Sequence, residues 1–273
     1  MPDPQGRAGR NLPIAIVTAL VLAGLIFGTL FTSRPAFFVL VSVAVLFAQA
    51  ELYRALRAHG FQPADVLGLA AGAVLLLGAY NRGATALSFV LTMTVIASFL
   101  WFLADPKRER VAENLSVTLL GVVYVPFFGA HVILMTGLPH GAAITICYIG
   151  LVALNDIGAF ATGVLFGKHP MAPNISPKKS WEGTIGATAV MFLLALIVGP
   201  LITPFKLWSS LALAAVVTVV APLGDLAESL VKRDLGVKDM GTVLPGHGGV
   251  LDRIDSLLLV APAAYWLIRV AVF

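Results

Sequence analysis

Residues 224–256 read GDLAESLVKRDLGVKDMGTVLPGHGGVLDRIDS, and long apolar segments lie directly before and after this stretch. Charged residues make up only 12% of the chain, yet this stretch is dense in ionisable side chains. They are Asp225, Glu228, Lys232, Arg233, Asp234, Lys238, Asp239, His247, Asp252, Arg253 and Asp255. An ionisable group inside a bilayer costs about 2.5–3.5 kcal/mol on insertion scales, and such groups are retained mainly where they have a function. The stretch therefore predicts a membrane-embedded fold with a polar site near the membrane surface.

The composition is that of an integral membrane protein. Hydrophobic residues make up 59% of the 273 positions, whereas a soluble domain has about 45–50%. The apolar runs are continuous and lack the alternation of a β-barrel, so the predicted fold is an all-α polytopic helix bundle. Cys147 is the single cysteine, which excludes an internal disulfide and a cysteine-based metal site. The net charge of +4 does not by itself indicate nucleic acid, and no nucleic-acid partner is expected.

Nine apolar runs are long enough to cross a bilayer, which takes about 20 helical residues. They cover residues 12–31, 35–56, 64–80, 84–103, 115–136, 140–167, 183–203, 207–231 and 251–272. We expect a transmembrane scaffold over residues 1–136 and a catalytic bundle over residues 137–273. Within the catalytic bundle, two polar loops at 168–182 and 232–250 connect the predicted helices.

The distribution of lysine and arginine predicts the orientation, because cytoplasmic loops are enriched in these residues. The N-terminus and the even-numbered loops hold 14 of the 18 cations: Arg7, Arg10, Arg54, Arg57, Lys107, Arg108, Arg110, Lys168, Lys178, Lys179, Lys232, Arg233, Lys238 and Arg253. The other side holds the remaining four: Arg34, Arg82, Lys206 and Arg269. We therefore expect a cytoplasmic N-terminus, an extracytoplasmic C-terminus and cytoplasmic polar loops. A bacterial inner membrane is the expected location.

Spacing places four polar side chains of the eighth span on one face of a helix with about 3.6 residues per turn. They are Asp225, Glu228, Ser229 and Lys232. Asp252 and Asp255 lie one turn apart at the start of the ninth span. Hard cations prefer carboxylate oxygens, so the pattern indicates a metal site. The alternative is ion pairing within the membrane, in which Lys232, Arg233 or Arg253 neutralises the acids of the eighth span.

A glycine-rich segment, LPGHGG at residues 244–249, lies between these two helices. Glycines let a backbone approach an anion closely, and His247 can donate a hydrogen bond to a phosphate oxygen. The segment therefore favours phosphate binding, and the alternative is a tight turn that needs positive φ angles.

The second polar loop reads PNISPKKSWEG at residues 173–183. Ser180 is the predicted start of a helix. Lys178 and Lys179 stand just ahead of it, and lysines at a helix N-terminus form a cationic phosphate site. The alternative is the ordinary positive charge of a cytoplasmic loop.

Asp156 falls in the cytoplasmic half of the sixth predicted span. Three further carboxylates lie at a similar depth: Asp225, Glu228 and Asp255. Unsatisfied in lipid, the four would cost on the order of 10 kcal/mol together, so they imply one shared polar cavity. A proton- or cation-coupled transporter also places acids within the membrane and is the competing class.

The order of these residues resembles the signature of phosphatidate cytidylyltransferases, also called CDP-diacylglycerol synthases. The matching positions are Ser229, Lys232, Arg233, Lys238, Asp239, residues 244–249, Asp252, Arg253, Ile254 and Asp255, and upstream residues 156–160, 167–168 and 176–183. The resemblance covers the chain from about residue 150, whereas the N-terminal half matches only as a hydrophobic, multi-spanning region. Phe160 and Ser180 stand where this family often has tyrosine and threonine, and neither difference removes a charge.

The resemblance implies transfer of the cytidylyl group of CTP to phosphatidate, which gives CDP-diacylglycerol and pyrophosphate for phospholipid biosynthesis. It implies Mg²⁺ as the cofactor, with a monovalent cation such as K⁺ as an additional one. The partners are CTP, phosphatidate and the lipid bilayer, and a homodimer is an open alternative to a monomer. The alternatives are cytidylyl transfer to another lipid phosphate and the cation-coupled transporter.

The resemblance also implies roles for individual residues. The expected catalytic residues are Asp225, Lys232, Arg233, His247, Asp252 and Asp255. The expected metal ligands are Asp225, Glu228, Asp252 and Asp255. The expected substrate-binding residues are Asp156, Ser176, Lys178, Lys179, Ser229, Lys238, Asp239, Gly248, Gly249 and Arg253.

Overall fold

The computed structural model describes residues 12–106, 109–241, 243 and 248–273, which form a bundle of long helices with one short hairpin. The first half contains α1 (Leu12–Thr32), α2 (Arg34–Ala58), α3 (Asp65–Arg82), α4 (Ala84–Ala104), α5 (Val111–Val122) and α6 (Phe128–Thr136). The second half contains α7 (Gly141–Phe166), β1 (Pro170–Ala172), β2 (Ser176–Ser180), α8 (Trp181–Ile197), α9 (Leu207–Asp234) and α10 (Leu251–Ala271). A π-helical segment, Val123–Phe127, contains Pro126 and joins α5 to α6.

Long apolar sequences form these helices because a backbone in hydrocarbon must satisfy its hydrogen bonds internally. Seven helical segments are long and apolar enough to cross a membrane: Arg34–Ala58, Ala84–Ala104, Val111–Thr136, Gly141–Phe166, Trp181–Leu201, Leu207–Asp234 and Leu251–Ala271. The prediction of an all-α, multi-pass membrane protein is therefore confirmed.

The runs predicted at 12–31 and 64–80 also form helices, α1 and α3. Within α1, Leu20–Thr32 qualifies as a shorter apolar helix. Helix α3 has 18 residues and includes polar residues at both ends. Neither belongs to the seven candidate spans, so the total of nine spans stays a prediction.

The polar loop predicted at 168–182 contains the one element that the all-α prediction omitted. Its strands β1 and β2 pair antiparallel, with Pro170 opposite Ser180 and Ala172 opposite Ser176. Such short strands have no room for the alternating pattern by which strands are recognised in a sequence. The helix start is confirmed, because the Ser180 hydroxyl accepts a hydrogen bond from the Gly183 backbone at 3.2 Å and caps α8.

Small residues allow the helices to pack closely where the site is built. A Cβ atom at Gly224 on α9 would lie 2.9 Å from the Cα atom of Ser256 on α10, so only glycine permits this approach. In the first half, the buried Tyr53 hydroxyl donates to the Thr118 carbonyl at 2.8 Å and connects α2 to α5. These contacts hold α9 against α10 and α2 against α5.

The polar loops gather at one end of the bundle. Arg233 at the end of α9 donates through Nε to the Ile175 carbonyl of the hairpin at 3.1 Å. The Leu251 backbone at the start of α10 donates to Oε2 of Glu51 on α2 at 3.0 Å. The second contact joins the predicted scaffold, residues 1–136, to the predicted catalytic bundle, residues 137–273. The division of the chain into these two parts stays a prediction.

The orientation of this end can be tested with topology reporters. We expect alkaline phosphatase fused after Phe273 to be active, and a fluorescent protein that folds only in the cytoplasm to be dark there. Fusions after Asp105, which follows α4, should give the opposite pattern. A cytoplasmic C-terminus would contradict the predicted number of spans.

Candidate active site

The carboxylates of α9 and α10 meet beside the close helix contact. Asp225 follows Gly224 and Asp255 precedes Ser256, the two residues at which the helices approach. Asp225 and Asp255 interact electrostatically, and Asp255 also contacts the Glu228 side chain. Glu228 is 1% exposed and Asp255 is 8% exposed. Helical spacing predicted this cluster, and the structure brings its members together.

Lys232 is the cation inside the buried part of the cluster. Its ammonium contacts Oε2 of Glu228 and lies 3.0 Å from Oδ1 of Asp252. One ammonium between two carboxylates leaves an excess of negative charge, and Oε1 of Glu228 has no hydrogen-bond partner among the described residues. A buried carboxylate oxygen without a partner is costly, so a further cation or a proton would stabilise the site.

This network contains the ion pairing that the sequence left open as an alternative. Lys232, one of the three cations considered, pairs with Glu228 on its own helix and with Asp252 on the next helix. Arg233 instead contacts the hairpin through the Ile175 carbonyl. Ion pairing and a cation site are therefore compatible here, because the pairing leaves Oε1 of Glu228 unsatisfied.

Asp252 also organises the segment between α9 and α10. Both of its carboxylate oxygens accept from the Met240 backbone, at 3.2 and 3.0 Å. Oδ2 accepts from the Gly249 backbone at 2.8 Å. One carboxylate therefore holds both ends of the segment 240–249 and connects them to Lys232.

The middle of the glycine-rich segment, including His247, lies outside the described residues, so its predicted role stays a prediction. Gly248 has a φ angle of +83°, which favours glycine. A Cβ atom at Gly248 would lie 3.2 Å from Oδ2 of Asp252 and 3.4 Å from Oδ1 of Asp239. Lys238 is exposed and makes no hydrogen bond or ion pair with another described residue.

The hairpin brings a second lysine to the carboxylates. Lys179 on β2 lies with its ammonium 2.7 Å from Oδ2 of Asp225 and 3.3 Å from the Pro222 carbonyl. The Ser229 hydroxyl donates to the other oxygen, Oδ1 of Asp225, at 3.4 Å. Asp225 is 39% exposed, so this pair lies at the open side of the cluster.

The neighbouring residues of β2 do not share this contact. Successive side chains of a strand point to opposite faces, so Lys178 points away from Lys179. Lys178 is exposed and forms no ion pair within the described residues. Ser176 pairs with Ala172 through the strand register and shows no side-chain hydrogen bond to a described residue.

Glu182 in the first turn of α8 anchors the chain that enters the hairpin. Its carboxylate accepts from the Lys168 backbone at 3.1 Å and from the His169 backbone at 3.2 Å, and it contacts Nδ1 of His169 at 2.5 Å. The contact of Glu182 with His169 helps to position the strands of the hairpin that carries Lys179.

Asp156 on α7 completes the predicted set of acids. It interacts electrostatically with Asp225 and with Lys179. The amide nitrogen of the adjacent, buried Asn155 has no hydrogen-bond partner in the described part of the chain. Asp156 therefore belongs to the same charged network as Asp225 and Lys179, whereas a cavity shared by the four acids stays a prediction.

Arg253 lies apart from the paired carboxylates, and its predicted role in substrate binding stays a prediction. With Ile254 and Leu257 it lines a cavity of about 350 Å³ between α1, α2 and α10, most of whose lining is apolar. Arg253 follows Asp252 by one residue, which on a helix turns the side chain by about 100°. It therefore lies on another face of α10 than the paired carboxylates.

Glu51 on α2 is a component of the site that sequence reasoning missed. It is 1% exposed, and Oε2 accepts from the Leu251 backbone at 3.0 Å. A Cβ atom at Gly241 or Gly249 would collide with this carboxylate, so it lies against both ends of the segment 241–249. Glu51 is the only acid in the interior of the first four predicted spans, which is the signal that could have revealed it.

Glu51→Ala should lower the activity of this site, because the start of α10 and the segment 241–249 lose the carboxylate that lies against them. Outer partners of an active-site residue typically contribute 10–100-fold, so we expect a loss on the order of 10–100-fold. Steady-state kinetics of the purified variant measure it, and the KM for the substrate that contacts the segment 241–249 should rise because the segment is displaced. Glu113→Ala, at an exposed carboxylate on α5, is the control and should retain activity. An unchanged KM together with a lower melting temperature would indicate a purely structural role.

The sequence of nearly the whole chain is similar to that of one protein family. A model of the "Cytidylyltransferase family" matches residues 13–271. The chain is 36% identical to a Mycobacterium leprae protein named phosphatidate cytidylyltransferase, over 95% of this chain and 88% of that protein. It is 34% identical to the Mycobacterium bovis protein of that name, over 95% and 89% of the two chains. A Pseudomonas aeruginosa protein of the same name is 36% identical over 90% and 93%.

Proposed function

Because this chain belongs to the cytidylyltransferase family, we propose that it transfers the cytidylyl group of CTP to phosphatidate. The products are CDP-diacylglycerol, a precursor in phospholipid biosynthesis, and pyrophosphate. The observation that carries the proposal is the pairing of Lys179 with Asp225 and of Lys232 with Asp252, at 2.7 and 3.0 Å. The first pair joins the hairpin to α9, and the second joins α9 to α10. The hairpin (residues 176–183) and the region from Ser229 to Asp255 both match the signature of phosphatidate cytidylyltransferases.

The reaction makes one bond and breaks one. A phosphate oxygen of phosphatidate attacks the α-phosphorus of CTP, and the bond from that phosphorus to the bridging oxygen of the β-phosphate breaks. A phosphate monoester has a second pKa of about 6, so the nucleophile is largely ionised near neutral pH. The difficulty lies in bringing two polyanions together, and neutralising their charge is the main task of the protein.

Lys179 and Lys232 are the cations suited to this task. An ammonium has three N–H donors, so a lysine that contacts a carboxylate can donate another hydrogen bond to phosphate. Asp225 and Asp252 hold these ammonium groups within the cluster of carboxylates. The lysines differ in exposure, with 25% for Lys179 and 15% for Lys232. We therefore assign Lys179 to the phosphates that enter from the open side and Lys232 to the deeper end.

The carboxylates fit Mg²⁺ by their donor chemistry. Mg²⁺ prefers oxygen ligands and is usually bound by one or two carboxylates together with substrate phosphates. Within the described ranges, no three Asp, Glu, His or Cys side chains form a preformed metal cluster. We assign the ion to Asp225 and its neighbour Asp255, close to the unpartnered oxygen of Glu228. Bound there, it would neutralise phosphate charge; Asp252 as a ligand, and K⁺ as a second cation, remain predictions.

The location follows from the substrates. CTP is a cytoplasmic nucleotide and phosphatidate is a membrane lipid, so the site must lie at the cytoplasmic surface of a bilayer. We place the protein in a bacterial inner membrane with the hairpin and the glycine-rich segment facing the cytoplasm, in line with the distribution of lysine and arginine. A homodimer remains a prediction.

Lys179→Ala should weaken the use of CTP, whereas Lys178→Ala should not. The reason is the contact of Lys179 with Asp225, which Lys178 lacks. A hydrogen bond to a charged group contributes about 1.5–3 kcal/mol, so kcat/KM for CTP should fall by about 10–100-fold in Lys179→Ala. Lys178→Ala is the matched control, with an expected change below about threefold. Equal and small effects would indicate that the loop supplies only general positive charge.

Incorporation of labelled CTP into lipid tests the proposed function. Purified protein in detergent receives CTP labelled at the α-phosphate, phosphatidate and Mg²⁺, and label should appear in CDP-diacylglycerol. Reactions with a prenyl phosphate in place of phosphatidate test transfer to another lipid phosphate. Absence of labelled lipid, together with ion flux in proteoliposomes, would instead support the transporter.

A further inference from the structure

A second polar cleft lies at the end of the bundle away from the carboxylates. It is formed by the start of α2, the α3–α4 turn and the last turns of α10, and it has a volume of about 430 Å³. Arg34 on α2 precedes Glu51 by 17 residues, and Arg269 on α10 follows Asp252 by 17 residues. At 1.5 Å per helical residue the cleft lies about 25 Å from the site described above.

Three arginines line this cleft: Arg34, Arg82 and Arg269. The side predicted to be extracytoplasmic holds only these three cations and Lys206. Cations are disfavoured on that side of a membrane protein. Convergence of three of the four on one cleft is therefore a specific arrangement that general loop charge does not explain.

The charge of the cleft is not compensated. None of the three arginines forms an ion pair with a carboxylate in the described ranges. Arg34 donates to the Tyr80 carbonyl at 3.4 Å, and its guanidinium lies 4.7 Å from the centre of the Tyr80 ring. Guanidinium groups that share a cleft repel one another, and an anion between them would relieve this repulsion. Phosphate fits best, because guanidinium matches its oxygens with paired hydrogen bonds.

The surroundings of the cleft indicate a lipid as the source of the phosphate. Tyr80, Tyr265 and Trp266 line it, and such aromatic residues concentrate at the level of lipid headgroups. Large apolar side chains are exposed nearby in sequence, with Phe31 71% exposed before Arg34 and Val270 82% exposed after Arg269. A headgroup in the cleft would thus leave its acyl chains against apolar surface. Basic pockets between transmembrane helices are a known mode of anionic lipid binding.

We propose that Arg34, Arg82 and Arg269 form a binding site for the headgroup phosphate of an anionic phospholipid. This site is separate from the site of cytidylyl transfer and does not depend on the proposed function. In the predicted orientation it faces the outer leaflet, so the protein would bind lipid at both surfaces of the membrane.

Quenching of Trp266 by brominated lipids tests this proposal, because Trp266 lines the cleft. The protein with Trp101→Phe, Trp181→Phe and Trp208→Phe keeps Trp266 as its single tryptophan and is reconstituted with brominated phosphatidylglycerol or brominated phosphatidylcholine. We expect half-maximal quenching at a mole fraction of phosphatidylglycerol on the order of tenfold lower than that of phosphatidylcholine. Adding Arg34→Gln, Arg82→Gln and Arg269→Gln should abolish this difference.

Lys206→Gln is the matched control, because Lys206 lies on the same side but outside the cleft, and it should preserve the lipid preference. A single gel-filtration peak and an unchanged melting temperature show that a variant is folded. If the triple variant fails this test, the lipid preference of Arg269→Gln alone decides the proposal. Equal quenching by both lipids, or a preference that survives loss of the arginines, would overturn the proposal. Displacement of phosphatidylglycerol by millimolar inorganic phosphate would overturn the lipid assignment in favour of a soluble anion.

Discussion

Asp225→Asn is expected to lower the rate of cytidylyl transfer by at least about 100-fold, the scale at which an enzyme loses a main electrostatic stabiliser. The amide keeps the shape of the carboxylate but removes its charge. Asp225 holds Lys179 at 2.7 Å and accepts a hydrogen bond from Ser229 at 3.4 Å. The substitution therefore removes a proposed metal ligand and releases the lysine proposed to contact phosphate.

Initial rates of label incorporation at saturating Mg²⁺ and CTP measure this effect. Asp234→Asn is the matched control, since it makes the same chemical change at the exposed last residue of the same helix. Asp234→Asn should retain normal turnover, and both variants should keep the melting temperature of the parent protein. Near-normal turnover of Asp225→Asn would remove Asp225 from the proposed site.

Lys232→Met is expected to affect stability and activity together. The ammonium pairs with Glu228, which is 1% exposed, and with Asp252, which is 4% exposed. Removing one partner from a buried ion pair leaves uncompensated charge and costs about 3–5 kcal/mol. Thermal unfolding in detergent should show a clear loss of stability, and transfer activity should be lost because a phosphate-binding cation is missing.

A second substitution separates the two effects. Glu228→Gln, added to Lys232→Met, removes one of the stranded charges and should restore part of the lost stability. Activity should stay low, because the ammonium proposed to contact phosphate is still absent. Lys206→Met, at an exposed lysine just before α9, should change neither property. Recovery of transfer in the double variant would show that Lys232 acts only by stabilising the fold.

Much of this arrangement could be predicted because it is local in sequence. Continuous apolar runs specify membrane helices, since hydrocarbon leaves the backbone no other way to satisfy its hydrogen bonds. The spacing of Asp225, Glu228 and Lys232 puts them on one helix face, and the structure has them there. The close approach of α9 to α10 was harder to predict, because it depends on which residue of another helix Gly224 contacts.

The contacts that sequence reasoning missed are those between distant segments. The pairing of Lys179 with Asp225 joins a hairpin to a helix 46 positions later in the chain. Asp252 was predicted to belong to the site. Its hydrogen bonds to the Met240 and Gly249 backbones could not be predicted, because they depend on how the segment between the helices folds. The periodicity of a sequence carries no information about partners in distant segments. A residue could therefore be identified as part of the site, whereas its contacts could not be predicted.

The hydrogen bond from the Leu251 backbone to Glu51 joins positions 200 residues apart. Ribosomes add about 5–20 residues per second, so roughly 10–40 s separate the synthesis of the two partners. During that interval the nascent chain carries in α2 a carboxylate whose partner on α10 has not been made. An incomplete chain therefore holds a carboxylate that is buried in the finished fold but still lacks its partner. The nucleotide site is completed only when the last helix has been inserted, so a truncated chain would be unable to consume CTP.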